Sequence, residues 1–464
     1  MLLKKENGWK NELVVEKKEI FEFCEEYKRS LDLGKTEREY VKYGLSLAKS
    51  HGFVCASTKE TLKAGDKVYY VNREKNLVLA VIGEEDIIKG INYVVSHIDS
   101  PRIDLKQNPL YEELELAYMK THYYGGIKKY QWASIPLSLH GIVILSNGEK
   151  KEIIIGEREE DPVFTIPDLL PHLAAKYQGE RKTGEVIKGE ELQIIVGTIP
   201  TTLKDDSIKE MVKYSVLEEL NKAYGMIEED FISAELQLVP AFKAKDVGLD
   251  RSLIGAYGQD DRICGYTSLK AIIDIEGIPT KTAVCFLADK EETGSNGSTG
   301  LQSNYLEYFT ADLISKTKLN YSDLDLKKTL WNSNALSSDV NAAVDPLFKG
   351  VHDCQNAAKL NYGIVVTKFT GSRGKSGTND ADAEYVWSIR NLLNTAGIVW
   401  QTGELGKVDE GGGGTVAKFL AEVGIKTIDV GPALLAMHSP FEVSSKLDIY
   451  ETYRTYKVFF EKMN

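Results

Sequence analysis

Cysteine is scarce in this chain and poorly placed for cross-linking. The five thiols, Cys24, Cys55, Cys264, Cys285 and Cys354, are odd in number and scattered, and no two form a Cys-x-x-Cys pair. That excludes a disulfide framework and a thiolate zinc site. Long apolar runs are missing too. No uninterrupted stretch approaches the ~18 residues that a membrane helix needs. The opening Met-Leu-Leu-Lys-Lys-Glu-Asn-Gly-Trp-Lys lacks the apolar core of a signal peptide. A cytoplasmic protein with no membrane partner is therefore expected. Positive charge is in deficit, and a net charge of −12 argues against nucleic acid as a partner.

What is present is ordinary globular material: 464 residues, 42% hydrophobic and 27% charged. This length exceeds a single domain's usual range, so two domains or one domain with a large insertion are expected. Residues 11–50 carry helical periodicity and read as two amphipathic helices joined near Gly34-Lys35-Thr36. Val68–Asn72 and Leu77–Ile82 read as a strand pair. Ile91–Ser96 is a buried strand that ends on His97-Ile98-Asp99. From about 106 to 247 short β-rich runs alternate with polar turns, as in an insertion between two halves of an α/β domain. The α/β texture then resumes, with helices at Ile263–Ile273, 381–393 and Val416–Val423 and strands at Gly363–Phe369 and Lys426–Val430.

One stretch organises the rest. Thr282–Ala288 is apolar and uncharged, as suits a strand buried on both faces of a parallel sheet, and it breaks into Asp289-Lys290-Glu291-Glu292 and a Gly/Ser loop. Open α/β sheets keep their ligand crevice at the carboxyl ends of such strands. Adjacent glutamates there repel one another, and a cation removes the conflict. Four further sites share the same context at the end of an apolar run: His97-x-Asp99, Asp260-Asp261, Asp339 and His438. A lone histidine or acid in that position is usually hydrogen-bonded structure. Together they form an oxygen-and-imidazole donor set suited to Zn²⁺, Mn²⁺ or Co²⁺. Asp99, two residues after His97, can accept the second ring N–H and fix the tautomer.

In order and spacing, Ser96-His97-Ile98-Asp99-Ser100-Pro101, Asp260-Asp261-Arg262, Asp289–Ser295, Ser338-Asp339 and Met437-His438-Ser439 resemble the bacterial-type branch of the aspartyl aminopeptidase family. The match runs through nearly the whole chain. It implies a mixed, mostly parallel sheet with helices on both faces. Residues 1–105 and 248–464 would form the catalytic domain, and 106–247 an inserted β-rich dimerisation domain. It implies two divalent ions, zinc foremost, bridged by Asp260. One ion would also be held by His97 and Asp339, the other by Glu292 and His438. Glu291 would be the general base, Asp99 would assist His97, and a cis peptide would join Asp260 to Asp261. An aspartate at the Asp339 position goes with aminopeptidases in this clan, whereas deacylases and carboxypeptidases often carry glutamate.

The resemblance also implies dimers that assemble into a dodecamer, acting on peptides. In it, His172, after Ile166-Pro167-Asp168-Leu169-Leu170-Pro171, reaches the partner subunit's active site. Lys375 falls at a position near the substrate side chain, consistent with a preference for N-terminal Asp or Glu. Two positions depart from the family pattern. Pro440-Phe441 follow His438-Ser439 where a basic residue is common, and Arg262 stands where many members have Asn. The glycines Gly411–Gly414 lack the Lys-Ser/Thr of a phosphate loop. Cys264 reads as an inert buried thiol. The rival readings are a deacylase or carboxypeptidase of the same clan, and a non-catalytic assembly protein on the same fold.

Overall fold

A computed structural model describes residues 5–10, 17–205 and 207–464. Residues 11–16, expected at the start of the first helix, lie outside the described residues. The chain divides into two compact units. The larger comprises Met1–Asp99, Ala244–Met437 and Phe441–Asn464, and the smaller Ser100–Lys243 and His438–Pro440.

The larger unit is built on a nine-stranded sheet. Its order is Val54–Cys55, Lys67–Asn72, Asn76–Val81, Thr282–Ala288, Ile91–His97, Asn334–Ser337, Lys426–Gly431, Ile364–Thr367 and Trp400–Thr402. The four strands from Thr282–Ala288 to Lys426–Gly431 run parallel, and antiparallel partners flank them on both sides. The sheet is mixed and mostly parallel, as expected.

Alternation explains why residues 283–288 of the central strand Thr282–Ala288 are apolar without a break. Ala283, Cys285 and Leu287 join one core, together with Tyr40 and Val41 of the helix Glu37–Ser50, Leu269 and Ile272 of Gln259–Ile273, and Phe459 of Lys446–Lys462. Val284, Phe286 and Ala288 join a second core with Phe309 and Leu313 of Tyr305–Thr317 and Leu330 of Asp323–Asn332. Successive side chains point to opposite faces, and helices cover both faces, so both faces of this strand pack against apolar neighbours. Phe286 packs edge-on against Phe309 with ring centroids 5.4 Å apart. Truncating it to alanine would cost about 3–5 kcal/mol. The helix Glu37–Ser50 begins with a capping box: Thr36 accepts the Glu39 N–H while the Glu39 carboxylate accepts the Thr36 N–H.

A second, five-stranded sheet of this unit orders Lys245–Val247, Leu253–Ala256, Glu442–Ser445, Ala433–Leu435 and Asn341–Ala342. The smaller unit carries a six-stranded antiparallel sheet with the helices Pro171–Tyr177 and Met211–Tyr224. Among the described residues, no helix is long and apolar enough to cross a membrane.

Candidate metal centre

Parallel strands deliver their side chains to one edge of the sheet. The strand Ile91–His97 ends on His97, and Thr282–Ala288 leads through Asp289 to Glu291 and Glu292. Asn334–Ser337 is followed by Asp339. Register makes these neighbours: Ala288 pairs with His97, and Ser337 with Val95. Asp260 and Asp261 arrive from Gly258, whose left-handed φ of 70° turns the chain into the helix Gln259–Ile273. The peptide bond between Asp260 and Asp261 is cis. Glu291 opens a short 3₁₀ turn directly after Lys290, a non-glycine residue at φ 69°. Such left-handed residues cluster at functional sites.

The imidazole sits at the centre. His97 Nε2 lies 3.2 Å from Asp260 Oδ1 and 3.8 Å from both Glu291 Oε2 and Asp339 Oδ1. Three sets of donor atoms fall within 4.8 Å of one another: His97 with Glu291 and Asp339, His97 with Asp260 and Glu292, and Asp260 with Asp261 and Asp339. Both glutamates thus reach His97. The other ring nitrogen, Nδ1, lies 3.0 Å from the Asp99 carbonyl and 3.3 Å from Asp99 Oδ1. These acceptors favour a protonated Nδ1 and direct Nε2 at the acids.

Electrostatics make the set hungry for a cation. Burial opposes charge on His97, but Asp260, Asp99, Glu291 and Asp339 outweigh it and hold the ring well above its ordinary pKa. Burial, then the neighbouring Asp339, push Asp261 well above the carboxylate range. Burial likewise raises Asp339, with Glu291, Asp260 and Asp429 adding to the rise. Oxygen and imidazole donors, crowded and mutually repelling, fit divalent ions such as zinc.

A second ring of carboxylates holds the main chain of these residues. Asp99, fully buried, accepts the N–H of Glu291 at 3.1 Å and of Glu292 at 3.2 Å. Asp261 Oδ2 accepts the His97 N–H at 3.3 Å, and Glu442 Oε2 accepts the Asp260 N–H at 3.0 Å. Asp289 receives the Thr299 hydroxyl at 2.6 Å, closing the loop that carries the glutamates. Its burial, with Glu37 and Asp99 close by, pushes its carboxyl up to about 7. Sequence reasoning missed Glu442. Its one signal is an acid lodged between Phe441 and Val443.

Three expected residues are not among these donor sets. His438 belongs to the smaller unit, at φ 64°, with Nδ1 2.8 Å from the Gly126 carbonyl. His172 is exposed near the start of the helix Pro171–Tyr177, beside exposed Leu169, Leu170 and Leu173. Lys375, at φ 60°, pairs with Asp380 at 2.7 Å and lies over the Phe369 ring. Cys264 is buried, and desolvation with Asp261 nearby raises its thiol pKa far above the reactive range.

A family profile described as aminopeptidase I zinc metalloprotease (M18) matches residues 31–460. A protein named probable M18 family aminopeptidase 1, from Borrelia garinii subsp. bavariensis, is 55% identical over 461 residues, 99% of this chain and 100% of that one. The crystal structure of an M18 aminopeptidase from Thermotoga maritima superposes with a TM-score of 0.95 at 48% identity, covering 100% of both chains. At 22% identity, the S. cerevisiae mApe1 dodecamer structure shares the fold, with a TM-score of 0.75 over 95% of this chain and 96% of that one.

Proposed function

The chain belongs to the aminopeptidase I zinc metalloprotease family (M18), and from that premise we propose that it removes N-terminal residues from peptides at a site for two divalent ions. The observation that carries this reading is the convergence of His97, Asp260, Asp261, Glu291, Glu292 and Asp339 at the carboxyl edge of the parallel strands. Asp260 would bridge the ions, with His97 and Asp339 on one and Glu292 and His438 on the other. Zinc is the first candidate, and manganese or cobalt would suit the same donors. Bound there, the ions would supply Lewis-acid polarisation of the scissile carbonyl and a lowered pKa for water.

The protein's own groups do the rest. Glu291 takes a proton from the attacking water as its oxygen bonds to the carbonyl carbon. The same carboxyl then gives that proton to the leaving nitrogen as the C–N bond breaks. Asp99 fixes the His97 ring and the Glu291-Glu292 turn. Lys375 would meet an acidic N-terminal side chain, giving a preference for Asp or Glu. The insert would pair subunits so that His172 of one protomer completes the partner's site as a donor to the developing oxyanion. Such dimers would build a dodecamer, the assembly named for the yeast relative.

The test is metal analysis of the purified protein with a panel of aminoacyl-p-nitroanilides, including Asp and Glu, beside their N-acetylated counterparts. Two ions per subunit and cleavage only of free-amine substrates are expected. Glu291→Gln should lower kcat by about 10²–10⁴-fold while keeping both ions. Cleavage of the N-acetylated substrates would favour the deacylase reading. Loss of an ion in Glu291→Gln would exchange the roles of Glu291 and Glu292.

A further inference from the structure

We propose that Glu442 is a positioning residue for the metal site, gripping the main chain of Asp260 so that its carboxylate is presented to the ions. The inference rests on the two-ion reading above.

The need for such a grip is local. Asp260 and Asp261 sit in the first turn of the helix Gln259–Ile273 but have non-helical backbone angles, φ −80° and ψ 106° for Asp260 and φ −118° and ψ 29° for Asp261. The first N–H groups of any helix lack intrahelical acceptors, and a buried one must find an acceptor elsewhere. A Ser, Thr, Asp or Asn cap usually provides it. Here the cap is Gly258, which has no side chain to offer. Asp260 is only 4% exposed, so bulk water is a poor substitute.

Glu442 fills the gap from 182 positions along the chain. It is 1% exposed and opens the strand Glu442–Ser445, which pairs antiparallel with Leu253–Ala256 and sets Glu442 opposite Ala256. Its Oε2 accepts the Asp260 N–H at 3.0 Å, and its main-chain carbonyl accepts the Gln259 side-chain N–H at 2.7 Å. Gln259, fully buried, is itself held by Ser444 and Tyr27. The turn Gly258–Asp260 is therefore fastened to one strand at two points. That strand begins four residues after His438 in sequence. Carboxylate acceptors form the stronger class of hydrogen bond, and outer-shell partners of this kind tune metal affinity by about 10–100-fold.

Two substitutions separate the hydrogen bond from the volume it occupies. Glu442→Met fills the same space with no acceptor, and Glu442→Gln retains a carbonyl oxygen for the Asp260 N–H. Zinc affinity, read by competition with a chelating indicator, should fall about 10–100-fold in Glu442→Met. It should stay within about threefold of wild type in Glu442→Gln. Metal-free melting of Glu442→Met is measured alongside. If that variant does not fold, Glu442→Asp, which keeps the charge but shortens the reach, should show the same loss of zinc. The KM of the zinc-saturated variants should stay near wild type, because the grip acts through Asp260 rather than on substrate. Wild-type zinc affinity in Glu442→Met, or equal losses in Met and Gln, would overturn the proposal. Asp260→Ala is the control that tells the two readings apart. If it still binds two ions, the metal-site reading itself fails. If it empties while Glu442→Met does not, only the role of Glu442 falls.

Discussion

Replacing Asp99 tests whether the site is held by its main chain. Its carboxylate accepts two backbone N–H groups, at 3.1 Å from Glu291 and 3.2 Å from Glu292, and it is fully buried. A buried N–H left without an acceptor costs about 1–3 kcal/mol. Asp99→Ala orphans two of them, for ~2–6 kcal/mol, and water entering the vacated space recovers part of that. A net ~3 kcal/mol is about two decades in the population of the productive turn. The kcat/KM for an aminoacyl-p-nitroanilide should therefore fall about a hundredfold, with weaker zinc binding. Asp99→Asn keeps one acceptor oxygen and turns its amide N–H₂ toward the other donor. It should lose about one decade, intermediate between wild type and Ala. Steady-state kinetics at saturating zinc, with a zinc titration of each variant, gives the ranking. Equal losses in Asn and Ala would refute the argument. They would mean that Asp99 acts through its charge on His97, 3.3 Å away, and not through the two amides.

Mixing inactive Glu291→Gln and inactive His172→Ala protomers, under conditions of demonstrated subunit exchange, should restore part of the activity. No recovery, or full activity in His172→Ala alone, removes His172 from the site. Lys375→Met should lower kcat/KM for Asp or Glu substrates by about one or two decades and spare Leu or Ala ones. A wild-type enzyme that prefers neutral residues makes that untenable. Burial pushes the Asp429 carboxyl up to about 6, against the Thr415 and Ser337 hydroxyls that favour its anion. A native pKa above the unfolded value means that the folded state holds the extra proton, so stability falls as pH rises from about 4 to about 6. At roughly two units the loss is about 2–3 kcal/mol, and Asp429→Asn, which does not titrate, should show a correspondingly flatter melting profile in metal-free protein. A slope unchanged by the substitution assigns the effect to another group.

The central strand was legible because burial on both faces leaves Thr282–Ala288 no room for a charge, and the structure gives that strand the expected bounds. The ligand candidates were legible for a related reason, since each is a His or an acid just past an apolar run. Glu291 and Glu292 receive different roles from the family resemblance, base and ligand, not from their own surroundings in the sequence. They are adjacent on one tight turn, and both come within reach of His97. Glu442 was out of reach altogether, because its partner is distant in sequence and only the pairing of Glu442–Ser445 with Leu253–Ala256 brings them together. Three helices went unread. Tyr305–Thr317 buries Leu306, Phe309, Thr310, Leu313 and Ile314, a spacing visible in the sequence. Asp323–Asn332 begins at Ser322 with Asp325 three residues on, a capping box. In Lys446–Lys462 the tyrosines and β-branched residues dilute the helical pattern.

The acids behind the site fasten amides, and an amide is the same in every residue except proline. The loops at positions 97, 260, 291 and 292 are thus anchored whichever side chain they display. Changing the side chain at any of these positions leaves its N–H available to the acid behind it, whereas proline removes the donor. On the proposed two-ion reading, the edge of the sheet would act as a socket in which the displayed donors set the preference among divalent metals and the amide anchors form the housing.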